Sequence, residues 1–167
     1  MPKNVDEFVN EFQSLNISTI DNQSNPFSSY APFIKIDHKY YVYISQMAKH
    51  TQNLQANNKC SLFFIEDENT CKNVFARKRV MIQSEAKTLE QDSKNEETIL
   101  EQFKVKFGDE MISMLKKMND FHVFEFTPFY GEAVFGFGKA YNLGGENFND
   151  FVQRQSTSNT GHGSKEK

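Results

Sequence analysis

The sequence predicts a mainly β domain with helices, an α+β chain built around a small antiparallel barrel. Three observations lead there. The chain carries 17 Phe and 6 Tyr and no Trp, and aromatic side chains suit a pleated, half-buried surface. About six segments of strand length are bounded by turn residues. The helical patterns are few: one at the start, a short one between two strands and a pair before the last two strands. The length of 167 residues suits one domain with a real core. That domain is expected to span residues 1–150, with 151–167 as a flexible C-terminal tail.

Val5, Phe8, Val9 and Phe12 recur at helical spacing and give a short amphipathic helix. Residues 15–20 alternate apolar with polar, as in a half-buried strand, and 21–25 form a turn. Residues 27–36 make a second strand in which Pro32, having no N–H, marks an edge or a bulge. Asp37, His38 and Lys39 turn the chain, which makes His38 an exposed turn residue. Residues 40–44 are aromatic and β-branched, as in a buried strand. Ser45 is placed to cap a helix carrying Met47, Thr51 and Leu54, with Asn57 and Asn58 as its stop. Residues 60–65 are a short apolar run of strand length, with Cys60 as a buried free thiol.

An acidic loop over 66–70 follows, lacking the Gly and the ligand spacing of a calcium loop. Residues 74–87 read as one long strand containing Arg77, Lys78 and Arg79. At period two, Arg77 and Arg79 share a face. There they form an anion clamp, since guanidinium pairs bidentately with carboxylate or phosphate, or they ion-pair with the acidic loop. Residues 92–107 read as a helix ended by Gly108, and Asp109 caps a second helix whose Met111, Met114 and Met118 are expected in the core. Asp120 opens a strand over 120–127 that holds His122 as a packed strand residue, and 128–131 turn the chain. Residues 132–143 are the last strand, where Gly136 and Gly138 leave a bare face for a flat ligand or mark a bulge. Phe148, Phe151 and Val152 are expected in a final helical turn. In the polar tail, His162 stands between Gly161 and Gly163, either untethered or a ligand.

A net charge of -3 gives no overall electrostatic case for nucleic acid. No run is long enough to span a membrane and the first residues lack an apolar signal region, so the expected location is the cytoplasm. Cys60 and Cys71 show neither metal-ligand spacing nor a disulfide framework. The stretch 40–66 organises the chain as strand, short helix, strand. It sets Gln46, Lys49, His50 and Asn53 beside a sheet. A helix N-terminus there can hold an anionic group; the same residues also read as a solvated face.

Several motifs then stand in one order: Ser29-Tyr-Ala-Pro-Phe33, the Ser45…Lys49-His50…Asn53-Leu54 helix, Phe63-Phe-Ile-Glu-Asp67, Phe75-Ala-Arg-Lys-Arg79, Asp120-Phe121 and Gly136-Phe-Gly-Lys-Ala-Tyr141. Over residues 14–162 the set resembles the heme-utilisation proteins of the HutZ and HugZ type, in the FMN-binding split-barrel group related to pyridoxamine 5'-phosphate oxidase. The resemblance implies an antiparallel split β-barrel, PNPOx-like and dimeric, with heme at the homodimer interface. It implies His162 as the iron ligand, Asp120 as the acid that hydrogen-bonds it across the interface, and Arg79 as a heme contact. His50 matches a position near the pocket, and Lys49 and Arg77 are further candidates for the heme propionates. These residue types suit the chemistry, because a neutral imidazole ligates heme iron and a carboxylate on its other N–H fixes the tautomer. The activity implied is oxidative heme degradation to a biliverdin-type product with iron release, using O2 and an external electron donor. Two alternatives stay open. One is an FMN-dependent oxidoreductase, with Ser45, Lys49 and Arg79 at the flavin phosphate, and the other a heme carrier without catalysis. Asn57-Asn58 departs from the Asn-Pro that relatives often have.

Overall fold

In the computed structural model, which describes residues 1–154, β1 (Ser14–Ile20), β2 (Pro26–Ile36) and β3 (Lys39–Ser45) form an antiparallel meander. β4 (Lys59–Ile65) pairs with the other edge of β1, followed by β5 (Arg79–Thr88) and β6 (Phe121–Val134). β6 also pairs with β3, which closes a six-stranded antiparallel barrel. A hairpin of β7 (Ala140–Gly144) and β8 (Asp150–Gln153) extends the sheet beyond β6.

Side-chain alternation decides which face of each strand is inside. Leu15, Ile17 and Thr19 of β1 are buried while Asn16 and Ser18 are exposed. Leu62 and Phe64 of β4 and Val80 and Ile82 of β5 fill the same interior. Phe64 is its hub, with ring centroids 5.1 Å from Phe33, 5.6 Å from Phe12 and 5.9 Å from Tyr40. α1 (Val5–Val9) adds Val5, Phe8 and Val9 to this core, its first turn capped by the Asn4 side chain. At the other end of β1, α2 (Lys49–Ala56) buries Thr51, Asn53 and Leu54, and Asn53 Nδ2 donates to Thr19 Oγ1 at 3.0 Å.

α3 (Lys94–Phe107) and α4 (Asp109–Lys117) build a second core outside the barrel. Ile99, Leu100, Phe103 and Ile112 pack there on Ile34, Tyr41, Tyr43 and Val123. Lys106 of α3 pins this layer, its Nζ donating to the Phe33 carbonyl at 2.8 Å and lying 4.0 Å from the Phe33 ring centre. A different outward row, Tyr30, Asn16, Phe63 and Met81, runs across β2, β1, β4 and β5 and belongs to neither core.

The structure corrects several sequence expectations. Residues 128–131 are not a turn. β6 runs through them with a register shift opposite Gln83 and Ser84, leaving Phe129 and Tyr130 both outward. Pro128 cannot donate to the ladder, and a bulge absorbs the missing bond. Gly136 and Gly138 do not bare a strand face. They take φ of 127° and 70° in the tight turn between β6 and β7, a backbone that glycine adopts without steric cost. Phe151 and Val152 lie in a strand, not a helical turn, because β7 offers an open edge. Met111, Met114 and Met118 are about half exposed, and Ile112 is the α4 residue that is buried. Gly108 rather than Asp109 is the α4 cap residue, and α3 starts at Lys94 behind a Ser93 cap. Pro32 does lie where β2 has no β3 neighbour, since that ladder starts at Phe33.

Truncating the hub should be costly and truncating the turn should not. Phe64→Ala is expected to lose about 3–5 kcal/mol in chemical denaturation. Phe137→Ala, at a side chain 72% exposed, should stay within about 0.5 kcal/mol of wild type.

Candidate functional site

The β3–β6 ladder sets Ser45 opposite Phe121. Asp120, one residue earlier, therefore meets the end of β3. Ser45 Oγ donates to Asp120 Oδ2 at 2.6 Å, and the Gln46 N–H donates to the Asp120 carbonyl at 2.7 Å. Ser45 is thus not the helix cap the sequence implied. α2 begins at Lys49, and its cap residue Ala48 makes no side-chain hydrogen bond. The serine is used by an acid 75 positions away, a partner that local sequence cannot announce. Met47, expected on the helix, is instead 82% exposed in the turn before it.

His50 sits half-buried in the first turn of α2, and its Nδ1 shares a 2.8 Å hydrogen bond with Ser29 Oγ. Burial pushes its pKa below the ordinary value of 6.5, so the ring is neutral at pH 7 and its Nε2 edge remains for other use. Lys49 beside it is exposed. Because Ala48 lends no side-chain acceptor, the Lys49 and His50 N–H groups that open α2 have no hydrogen-bond partner among the described residues, whereas the sequence reading had Ser45 cap this turn. Ser29 entered the sequence reading only as the first residue of a motif, without a role; no local signal marks a hydroxyl 21 positions from its histidine.

The run of bases is divided rather than shared. Residues 74–76 form a 3₁₀ turn capped by Asn73, and β5 starts only at Arg79. Arg77 and Arg79 are therefore not alternate residues of one strand, which overturns the two-arginine anion clamp. Arg77 Nε donates to the Glu66 carbonyl at 2.8 Å and its Nη1 pairs with Glu68 at 2.9 Å. The ion-pair reading of Arg77 holds, and its guanidinium pins the acidic loop. Arg79 is half-buried and gives one donor to the Arg77 carbonyl at 3.0 Å. Among the described residues no carboxylate pairs with it.

The expected residues are not all brought together. Arg79 stands opposite Val134 at one end of β6, while Asp120 precedes Phe121 at the other. Along β6 that is about 46 Å at roughly 3.3 Å per residue. Asp120 and the α2 residues share one end of the barrel, and Arg77 and Arg79 the other. His162 lies outside the described residues. A cleft of about 680 Å³ opens at the Arg77 end between α1 and the acidic loop. Its lining sets Glu11, Glu66, Asp67 and Glu68 against Arg77 and Lys78, a net negative balance unsuited to an anionic ligand. Among the described residues there is no acidic, His or Cys cluster fit for a metal ion, and no helix is long and apolar enough to cross a membrane. Cys60 is buried, its thiol pushed up to about 12 by desolvation, which makes it inert.

Comparison with known proteins places this geometry in context. The pyridoxamine 5'-phosphate oxidase family matches residues 1–135. The heme oxygenase HutZ of Vibrio cholerae is 39% identical over 148 residues, covering 89% of this chain and 84% of that protein. A crystal structure of HutZ, described as the heme storage protein of Vibrio cholerae, superposes with a TM-score of 0.74 at 36% identity, over 79% of this chain and 94% of that one. Campylobacter jejuni ChuZ superposes with a TM-score of 0.78 at 31% identity, over 89% of this chain and 60% of that one.

The half-buried, neutral His50 has a measurable consequence. The folded chain binds its proton less readily than the unfolded chain, so stability falls as pH drops below about 6.5 and levels off beneath the lowered native value. Denaturation at pH 7.0 and 5.5 should show that loss in wild type and a smaller one in His50→Gln. An equal loss in both proteins would remove His50 as a source of the pH dependence.

Proposed function

This chain belongs to the pyridoxamine 5'-phosphate oxidase family, among its HutZ-type heme proteins, and from that premise we propose that it binds heme and degrades it oxidatively. The product is an opened, biliverdin-type tetrapyrrole with release of iron. The observation that carries this reading is the Ser45–Asp120 pair. One carboxylate oxygen is held at 2.6 Å by the serine, and the other has no hydrogen-bond partner among the described residues. A flavin site has no use for such an acid, whereas a histidine that ligates heme iron does.

The residues fit the group. His162 offers the neutral imidazole nitrogen that heme iron takes. Asp120 accepts the other imidazole N–H, which fixes the tautomer, raises the basicity of the ligand and favours O2 activation over storage. Arg79, Lys49 and the uncapped first turn of α2 pair with propionates. Arg77 contributes by holding the loop, since its guanidinium is spent on Glu66 and Glu68. His50, neutral and anchored by Ser29, brings an uncharged edge to the α2 end of the pocket. When bound, heme supplies the iron that activates O2 and the ring that is opened, with electrons from an external donor.

Chain geometry supports a two-chain site. The Arg154 N–H bonds the Ala140 carbonyl, and Ala140, Val134 and Arg79 are neighbours across three strands. The chain therefore leaves the sheet about 15 Å from Arg79, at roughly 4.8 Å per strand. His162 follows eight residues later, a tether of at most about 29 Å. A tether of that length is compatible with the Arg79 end of its own chain, and on this reading Asp120 is supplied by a second copy. The uncovered outer row of Tyr30, Phe63 and Met81, flanked by the small Ser18, Ser28 and Ser61, is the face proposed for that homodimer.

Titration with hemin, then reductant and air, tests the assignment. Wild type should give a histidine-ligated heme band that bleaches on reduction. A band that survives would favour a carrier, the role for which the HutZ crystal structure is named. Bound flavin with no hemin band would favour an FMN oxidoreductase, and the protein would purify yellow. His162→Ala should lower hemin affinity at least tenfold and abolish turnover. Asp120→Asn should keep most of the heme and slow degradation about 10–100-fold; wild-type turnover in that variant would remove the electronic role of Asp120.

A further inference from the structure

We propose that Arg154 is a positioning residue, a latch that fixes where the segment bearing His162 leaves the sheet. The inference rests on the reading of His162 as heme ligand. Past β8 the Arg154 N–H still donates to the Ala140 carbonyl at 3.2 Å. The side chain folds back across the sheet. Its Nε donates to Asn142 Oδ1 at 2.8 Å, and its Nη2 forms an ion pair with Glu132 Oε1. Glu132 and Asn142 stand directly opposite each other in the β6–β7 ladder, so one guanidinium spans both strands. The Tyr130 hydroxyl donates to the same Glu132 oxygen. That hydroxyl first, and Arg154 after it, hold the Glu132 carboxyl below its usual range.

An ion pair this exposed contributes little to global stability. What the fork geometry does fix is direction, because a guanidinium bonded at two points cannot swing. The chain beyond it carries Ser, Thr, Asn and Gly to His162, with no apolar residue to dock it elsewhere. Among the described residues Arg154 is thus the last anchor before the segment that bears His162. If the latch is lost and β8 frays back to Gly144, the tether to His162 grows from eight residues to eighteen. The effective concentration of the imidazole then falls roughly threefold by the inverse three-halves power of length. Lost orientation adds to that.

The test is a set of hemin titrations on the full chain. Arg154→Ala and Glu132→Ala should each weaken hemin about three- to tenfold, with unchanged melting temperature and oligomeric mass. The charge-swapped pair Arg154→Glu with Glu132→Arg should regain most of the affinity. A residue acting through the ligand has two further signatures. In the His162→Ala background, Arg154→Ala should cost nothing more. With metal-free protoporphyrin IX, which needs no ligand, Arg154→Ala should bind as wild type. Wild-type hemin affinity in Arg154→Ala overturns the latch. A loss that persists without His162, or with the metal-free ring, also overturns it, because Arg154 would then touch the porphyrin itself. If His162→Ala alone leaves hemin binding unchanged, the ligand reading fails first and the latch falls with it.

Discussion

Barrel closure by the β3–β6 ladder is the constraint on which the rest depends. Without it the sheet ends in two open edges and the Phe64 core has one wall too few. With it, β6 becomes a 14-residue strand serving three neighbours, β3, β5 and β7. Its first residues bring Asp120 to Ser45 and the turn into α2. Its last residues bring Val134 to Arg79 and carry the β7–β8 hairpin. One strand thus sets both ends of the candidate site, and its length keeps those ends apart. On the proposed reading such a chain holds two half-sites, and the acid of one end serves an imidazole tethered near the other when two chains combine.

The elements that were legible in the sequence are those whose burial follows a local period. The alternation of β1, the apolar run of β4 and the apolar stripe of α3 needed only their own residues to be read. The misread stretches share a different physics. Pro128 and the glycines at 136 and 138 mark departures from regular backbone, but whether a departure is a bulge, a turn or a bare face depends on the register of the neighbouring strand. Residues 128–131 became a bulge because β5 continues beside them, and residues 136–138 became a turn because β5 begins only opposite Val134 and offers no partner beyond it. Ser45 looked like a cap because caps are local; its acid is brought by the ladder. The exposure of the α4 methionines follows from which stripe of the helix meets Tyr43 and Val123, and Ile112 on that stripe is branched and rigid where methionine is not.

The three adjacent bases show the same division between pattern and context. Sequence periodicity treated Arg77, Lys78 and Arg79 as one strand face problem. The 3₁₀ turn at 74–76 breaks that period, so Arg77 turns back onto the Glu66 carbonyl and Glu68 while Arg79 starts the strand. One arginine becomes a structural pin and the other spends only one donor, on the Arg77 carbonyl. The resemblance to heme-handling relatives pointed to Arg79 on motif alone, and the geometry gives a physical reason for preferring it to Arg77.

The fold itself does not choose between flavin and heme, since one barrel can host unrelated chemistries. Selection falls to a few side chains whose states the barrel sets by burial and pairing. Desolvation keeps His50 uncharged, so the α2 end gains no second positive charge to draw a phosphate. The Ser45 hydroxyl, which a flavin phosphate would need, is committed to Asp120. An acid with one oxygen filled and one open is electrostatically wrong beside a phosphate and right beside an imidazole N–H. The arrangement that weakens the flavin reading is therefore the same one that supports a histidine-ligated heme. It follows from a single register, that of Ser45 against Phe121.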